Sequence, residues 1–405
     1  MAADPIRVLV TNAEERSILA TCRSLHATGY EVGVVAFRSL AATHRSRSCT
    51  ERLRMTDPGQ DDERFVEDLS QQLLRGRYAV LLPGSDRALL AISRRRERLE
   101  SLTCIGLPAP ASVERSLDRE VLDETAAAVG LSPAESIRCT SLEEARTAAR
   151  TLGLPIILKS IRTVDRAGRA IRQTRPSHRV ATEEELAEAV PGHAGPFLIQ
   201  RAEPGIPLSF AGVMAGGRLL AVAVARYRRT WPVEAGNVAF AETITPPRGL
   251  EEMAQALLTS VGWEGIFELE LIQAASDRLV PIDLNPRPYG SMALAVAAGA
   301  PLPAIWCDWL LGRDPQPVRA RPGHRYRWED ADLRHLVWQL RHGKLRAAGE
   351  AAWPRRGVTH AYFRIADPLP LLIRGLSMAR SRTGMTNTID PTPLPVNSGE
   401  KPPPT

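Results

Sequence analysis

The stretch FELELIQAASDRLVPIDLNPR, residues 267–287, reads as two short strands joined by a tight polar turn, Ala274 to Arg278. Apolar and polar residues alternate in each strand, the mark of a half-buried sheet. On the first strand Phe267, Leu269 and Leu271 share one face, which leaves Glu268 and Glu270 on the other. On the second, Ile282 and Leu284 are expected to face inward, so that Asp283, Asn285 and Arg287 project together. Carboxylate and amide oxygens are hard donors that suit Mg2+, an ion that commonly bridges protein carboxylates to phosphates. An arginine beside them can grip a phosphoryl or carboxylate group through paired hydrogen bonds. A polar hairpin face can also simply meet water. Here the pattern continues through Pro286-Arg287-Pro288-Tyr289-Gly290-Ser291 into an Ala-rich run ending at Ala298-Gly299. That context makes it more specific than an isolated acid-x-Asn.

Strand, acid-x-Asn-x-Arg, glycine turn and small-residue helix together resemble the ATP-grasp superfamily, in particular its carbamoyl-phosphate-synthase-like branch. The resemblance runs from about Val113 to Pro315 and more loosely over the first hundred residues. It implies a ligase that uses ATP with Mg2+ (or Mn2+) to activate a carboxylate as an acyl phosphate, which an amine then attacks. It also implies a role for each motif residue. Asp283, in place of the branch's glutamate, would bind metal together with Asn285 and Glu270, and Arg287 would stabilise charge on the γ-phosphoryl group or the carboxylate.

The lysines add an independent clue. All but Lys159, Lys344 and Lys401 of the 52 basic residues are arginine. Lys159 ends the apolar run Leu154-Pro155-Ile156-Ile157-Leu158, where a compact ammonium can act as a point charge on phosphate or snorkel at a strand end. The resemblance assigns it to the nucleotide's α- and β-phosphates. Arg119, opening a helix that runs to Val129, stands where a first phosphate-contacting lysine is common. Arg162, Arg166, Gly168, Arg169, Arg172, Arg175 and Arg179 would form a cationic flap. Phe197 to Gly205 resembles the hinge against which adenine lies, with Gln200, Arg201, Ala202 and Glu203 as contacts. Arg201 and Pro207 depart from the pattern, which has acids at both places. Arg228, within Arg226-Tyr227-Arg228-Arg229, is a candidate for the substrate carboxylate or γ-phosphate.

At 405 residues and 44% hydrophobic the chain can support several cores. The expected architecture is α/β and α+β. A Rossmann-like domain over residues 1–110 precedes a two-lobed ATP-grasp domain over 111–315, whose hinge lies near 200–205. A basic helical appendage over 316–385 and a disordered tail over 386–405 follow. In the first layer Ile6 to Val10, Val32 to Ala36 and Tyr78 to Leu82 read as parallel strands. Thr11, Gly84, Ser85 and Asp86 are placed at loops where ligands collect. Ser141-x-x-Glu144 and Thr182-x-x-Glu185 are capping boxes that start helices.

The five scattered cysteines give no zinc or disulfide framework. A net charge of +6 without a recognised motif argues against nucleic acid. The absence of a signal-like N-terminus or spanning apolar run points to the cytoplasm. Small-molecule carboxylate and amine partners are expected, with a homodimer allowed. Arg319 to Arg364 holds eleven basic and four acidic residues. Leu333, Leu336, Val337 and Leu340 are spaced to pack one helical face, including against the core, with Trp328, Trp338 and Trp353 adding bulk. The alternative for this region is a surface that meets a membrane or an anionic polymer. A degenerate nucleotide-binding scaffold and an ATP-dependent phosphotransferase are the rival functions.

Overall fold

The structure is a computed structural model that describes residues 5–162, 177–190, 196–233, 236–275, 277–352 and 357–382. Most of the arginine-rich loop (Arg166, Gly168, Arg169, Arg172 and Arg175), Trp353 and the tail after 382 lie outside the described residues.

Three sheets organise the described residues. The first is parallel, in the order Glu51–Arg54, Glu31–Ala36, Arg7–Val10, Val80–Leu82. Its inner strands are the apolar runs Val8-Leu9-Val10 and Val32 to Ala36, as expected when helices cover both faces. The edge strand Glu51–Arg54, not legible in the sequence, alternates partly buried and exposed residues. Charged side chains on an edge discourage pairing with another chain. Helix Asp86–Arg94 begins at Ser85, whose hydroxyl accepts from the Ala88 amide.

The second sheet is small and antiparallel: Ser136–Cys139, Phe197–Arg201, Ile156–Ser160, Ser177–Val180. Ile156, Leu158, Phe197 and Ile199 turn one face onto helices Leu142–Leu152 and Glu183–Ala189. Both helices start as the sequence indicates, with Ser141 and Thr182 accepting from the amides of Glu144 and Glu185. The other face carries Ser136, Lys159 and Gln200, since residues opposite each other in an antiparallel pair point the same way.

The third sheet has eight strands and begins, at its edge, with the two strands of the 267–287 hairpin. Phe267, Leu269 and Leu271 are fully buried and join Phe210, Leu257 and Leu122 in one core. Burial of each such side chain is worth roughly 1.5–3 kcal/mol. The opposite face meets the first layer through Ala211, Val213, Ala223 and Ile266. Beyond Pro315 the helix expected around Leu333 to Leu340 is present as Glu329–Arg341, and a further helix spans Leu369–Arg382. Three short strands, Val318–Arg319, Arg325–Arg327 and Val358–His360, also extend the third sheet.

One expectation is inverted. Helix Glu329–Arg341 turns Leu333, Val337 and Leu340 outward, while Asp330, Asp332, His335 and Gln339 are buried. Ion pairs decide its orientation. Asp332 takes the Arg229 guanidinium at 2.6 and 2.9 Å and Arg327 at 2.9 Å, and His335 Nδ1 lies 3.0 Å from the Thr230 carbonyl.

Candidate active site

The hairpin pairs Glu268 with Asn285 and Glu270 with Asp283, then breaks register between Glu270 and Leu271. Ile282 is the extra residue, so it has no partner across the ladder. It is only partly buried, and Leu279, Pro281 and Leu284 fill the inward positions. This corrects the expectation for Ile282. The bulge resets the alternation so that Pro281 faces the core while Asp283 and Asn285 face the acids.

Glu268 is 4% exposed. It accepts from Ser209 Oγ at 2.7 Å and from Asn285 Nδ2 at 3.2 Å. The Tyr227 hydroxyl lies 3.2 Å from Glu268 and 2.9 Å from Glu270. Burial, and then the neighbouring Glu268 and Asp283, pushes the Glu270 carboxyl well above the ordinary carboxylate range. Glu268 is raised as well, chiefly by burial. A Tyr227 proton can serve only one of the two carboxylates at a time. Three crowded carboxyls with an amide oxygen are a donor set whose chemistry suits a divalent cation.

Cations close the cluster from three sides. Arg119, 6% exposed at the start of helix Arg119–Ala128, donates to both Asp283 oxygens, from Nε at 3.1 Å and Nη2 at 2.8 Å. Its Nη1 reaches the Ser160 carbonyl at 2.7 Å. Arg287 donates to Asp86 at 2.5 Å and to Asn285 Oδ1 at 3.1 Å, tying the hairpin to the first layer. Lys159, 2% exposed, donates to the Ile282 carbonyl at 3.1 Å, an acceptor available because the bulge leaves that residue unpaired. Burial, assisted by Arg119, lowers the Lys159 ammonium to about 8. The chemistry of the carboxyls suits a cation but their spacing does not: among the described residues no three His, Cys, Asp or Glu side chains are grouped to hold a metal ion.

Of the residues named from sequence, Arg119, Lys159, Glu270, Asp283, Asn285 and Arg287 therefore converge. Gln200 is buried at their margin and donates to Ser136 Oγ at 2.9 Å. Arg201 pairs with Glu135 at 2.7 Å, and its amide donates to the Glu135 carbonyl. Glu203 pairs with Arg278 in the hairpin turn at 2.7 Å, and Ala202 lies half-buried between them in sequence. Arg228 does not join the cluster. Exposed, it pairs with Glu242 at 3.2 Å, because adjacent strand residues point to opposite faces and Tyr227 takes the inward one.

Three residues went unassigned in the sequence. Glu268 was visible on the polar face but had no role. Tyr227 was hidden among arginines. Asp123 accepts from Ser136 Oγ at 3.3 Å and is raised by burial, an effect that Lys159 opposes. Its signal was the spacing: Asp123 follows Arg119 by four residues, so both occupy one helix face. Asp86, placed at a ligand loop by the sequence, is the residue through which the first layer touches the cluster.

No family model matches the chain. It is 27% identical over 323 residues to the carbamoyl phosphate synthase large chain of Nostoc, covering 74% of this chain and 28% of the relative. With the same enzyme of Thermotoga it shares 27% over 304 residues, covering 70% and 26%. The chain thus spans roughly a quarter of the length of the curated relatives it matches. N5-carboxyaminoimidazole synthetase from Staphylococcus aureus superposes with TM-score 0.59 at 13% identity, over 79% of this chain and 80% of that one. Biotin carboxylase from Campylobacter jejuni, in complex with a β,γ-ATP compound, gives TM-score 0.59 at 12% identity over 79% and 74%. L-amino acid ligase from Bacillus licheniformis gives TM-score 0.59 at 12% over 80% and 79%. The fold of this chain is the ATP-grasp fold, with an α/β layer ahead of it.

Proposed function

We propose that this protein is an ATP-dependent ligase that activates a small carboxylate as an acyl phosphate and joins it to an amine. The observation that carries the reading is a meeting of two lobes. The polar face of the small sheet, which also carries Gln200, brings Lys159 against a hairpin bearing Glu268, Glu270, Asp283, Asn285 and Arg287. Such a cleft holds opposite charges in a desolvated space, where they act on a phosphate far more strongly than in water.

In this reading Glu270, Asp283 and Asn285, with Glu268 behind them, hold magnesium. When bound, the ion would supply charge neutralisation to the phosphates. Lys159 and Arg119 grip the α- and β-phosphates. Gln200 and the Arg201–Ala202 backbone border the adenine, and Glu203 lies towards the ribose. Arg287, held in line by Asp86, steadies the oxygens of the transferring phosphoryl group or of the carboxylate. The amine then attacks the mixed anhydride. No acyl-enzyme nucleophile is needed. Residues 1–110 would supply part of the carboxylate or acceptor site through the Asp86 loop. Arg228, paired away from the cluster, has no part in this scheme as the structure stands.

One observation favours a second reading, a nucleotide-binding scaffold. Both Asp283 oxygens are occupied by Arg119, so a metal ion has to displace a guanidinium before it can bind there. Release of ADP with magnesium and pooled carboxylates and amines separates the possibilities. Turnover that requires both a carboxylate and an amine supports the ligase. A phosphorylated product formed without amine identifies a phosphotransferase. ATP binding with no turnover under any pool identifies the scaffold.

A further inference from the structure

The outer face of the C-terminal region reverses the usual arrangement of a surface helix. Helix Glu329–Arg341 exposes Leu333, Val337 and Leu340, two turns of one stripe. Helix Leu369–Arg382 exposes Leu369, Leu372 and Leu376 at the matching spacing, with Ile365 87% exposed just ahead of it. Leu333 of the first stripe and Leu372 and Leu376 of the second line one groove, together with Leu371, Met378, Glu329 and Asp330. Contiguous exposed apolar surface of this kind marks an interaction site.

The charges are sorted as well. Asp330 is tied to Arg374, Asp332 to Arg229, Asp367 to Arg23, and Glu329 accepts from the Tyr362 and Phe363 amides. All four carboxylates are thus partnered, Glu329 and Asp330 at the floor of the groove, and among the described acids between 325 and 382 only Glu350 is exposed. Arg341, Lys344, Arg346 and Arg364 remain on the outside.

We propose that this face docks the protein on an anionic lipid bilayer. Leucine stripes flanked by cations are the chemistry of a helix that lies in the membrane interface, its aliphatic side chains among the acyl chains and its arginines at the headgroups. No helix among the described residues is long and apolar enough to cross a membrane, so the contact is peripheral. A second copy fits less well, since a two-fold interface would set one cation-rimmed patch against another of the same charge. A protein partner would ordinarily be met by exposed Trp or Tyr anchors. Here the exposed large apolar side chains are aliphatic apart from Phe363.

The test is co-sedimentation of the full chain with vesicles of phosphatidylcholine, alone or mixed with phosphatidylglycerol. The chain should sediment with the mixed vesicles, weakly with the neutral ones, and less as salt rises. Leu372→Gln with Leu376→Gln should lower partitioning roughly 100-fold, about tenfold for each leucine withdrawn from the acyl region. Arg341→Glu with Arg364→Glu should remove the preference for anionic vesicles, by at least about fivefold per lost cation. All four positions are exposed, and circular dichroism checks that the variants fold. Failure to sediment with either vesicle, or leucine variants that bind as the parent does, overturns the proposal. A dimer in sedimentation velocity that Leu372→Gln dissolves, without vesicle binding, assigns the face to a second copy.

Discussion

Replacing Asp283 by alanine should weaken the folded state through a residue that alanine does not touch. Arg119 is 6% exposed, and two of its three recorded donor contacts end on Asp283. The substitution leaves that guanidinium buried with only the Ser160 carbonyl at 2.7 Å. Stranding one member of a fully buried ion pair costs about 3–5 kcal/mol. The Asp283 side chain is 27% exposed, so water can enter the vacated space, and the cost should fall to about 2–3 kcal/mol. At roughly 2–4 °C per kcal/mol for a domain of this size, the melting temperature should drop by about 4–12 °C. Calorimetric melting of the parent, Asp283→Ala, Arg119→Met and the double variant gives the test. The double variant removes the stranded charge and should recover about 1–3 kcal/mol relative to additivity. A single Asp283→Ala variant that melts with the parent, together with an additive double variant, would refute the buried pair and with it the geometry of the site.

Lys159→Met should weaken ATP binding by about 1.5–3 kcal/mol, a loss of roughly 10- to 150-fold in calorimetric affinity, and unchanged affinity would return Lys159 to a structural role. The pH dependence follows from the same ammonium, which titrates near 8 in the free protein. Bound phosphates raise that value, so binding takes up a proton above pH 8. Affinity should be flat below pH 8 and fall up to about tenfold per pH unit above it, and Lys159→Met should abolish the slope. Glu270 is raised above the ordinary carboxylate range, so it retains a proton to higher pH than a solvated glutamate. Magnesium binding should therefore release a proton and tighten as pH rises. Calorimetry in buffers of different ionisation enthalpy reads the release, and Glu270→Gln should remove it.

The acid-bearing hairpin was legible because Phe267, Leu269 and Leu271 alternate with Glu268 and Glu270, and burial enforces that alternation strictly. Lys159 stood out because the chain writes arginine almost everywhere else. What escaped the reading was decided by tertiary partners. Ile282 lost its expected inward position to a bulge, although Pro281 was a warning: proline lacks the ladder donor and belongs at edges and bulges. The leucine stripe of Glu329–Arg341 correctly announced a helix and wrongly announced its buried face. Spacing cannot reveal that Arg229 and Arg327 wait on the sheet for Asp332. Arg119 was expected to meet phosphate, and nothing local in Leu117-Asp118-Arg119 discloses that it meets Asp283 first.

The bulge at Ile282 acts as a change of parity in a two-letter code. Before it, odd-numbered residues of the strand lie on the apolar side, and after it they lie on the acidic side. Side-chain identity at 282 is therefore nearly free, since what the site uses there is a main-chain carbonyl. The count of residues is not free. One residue inserted between 283 and 284 would set Leu284 in place of Asn285 on the acidic face. Loss of residue 282 itself would leave both faces intact and remove the carbonyl that Lys159 meets. Across such a strand, length carries information that composition does not.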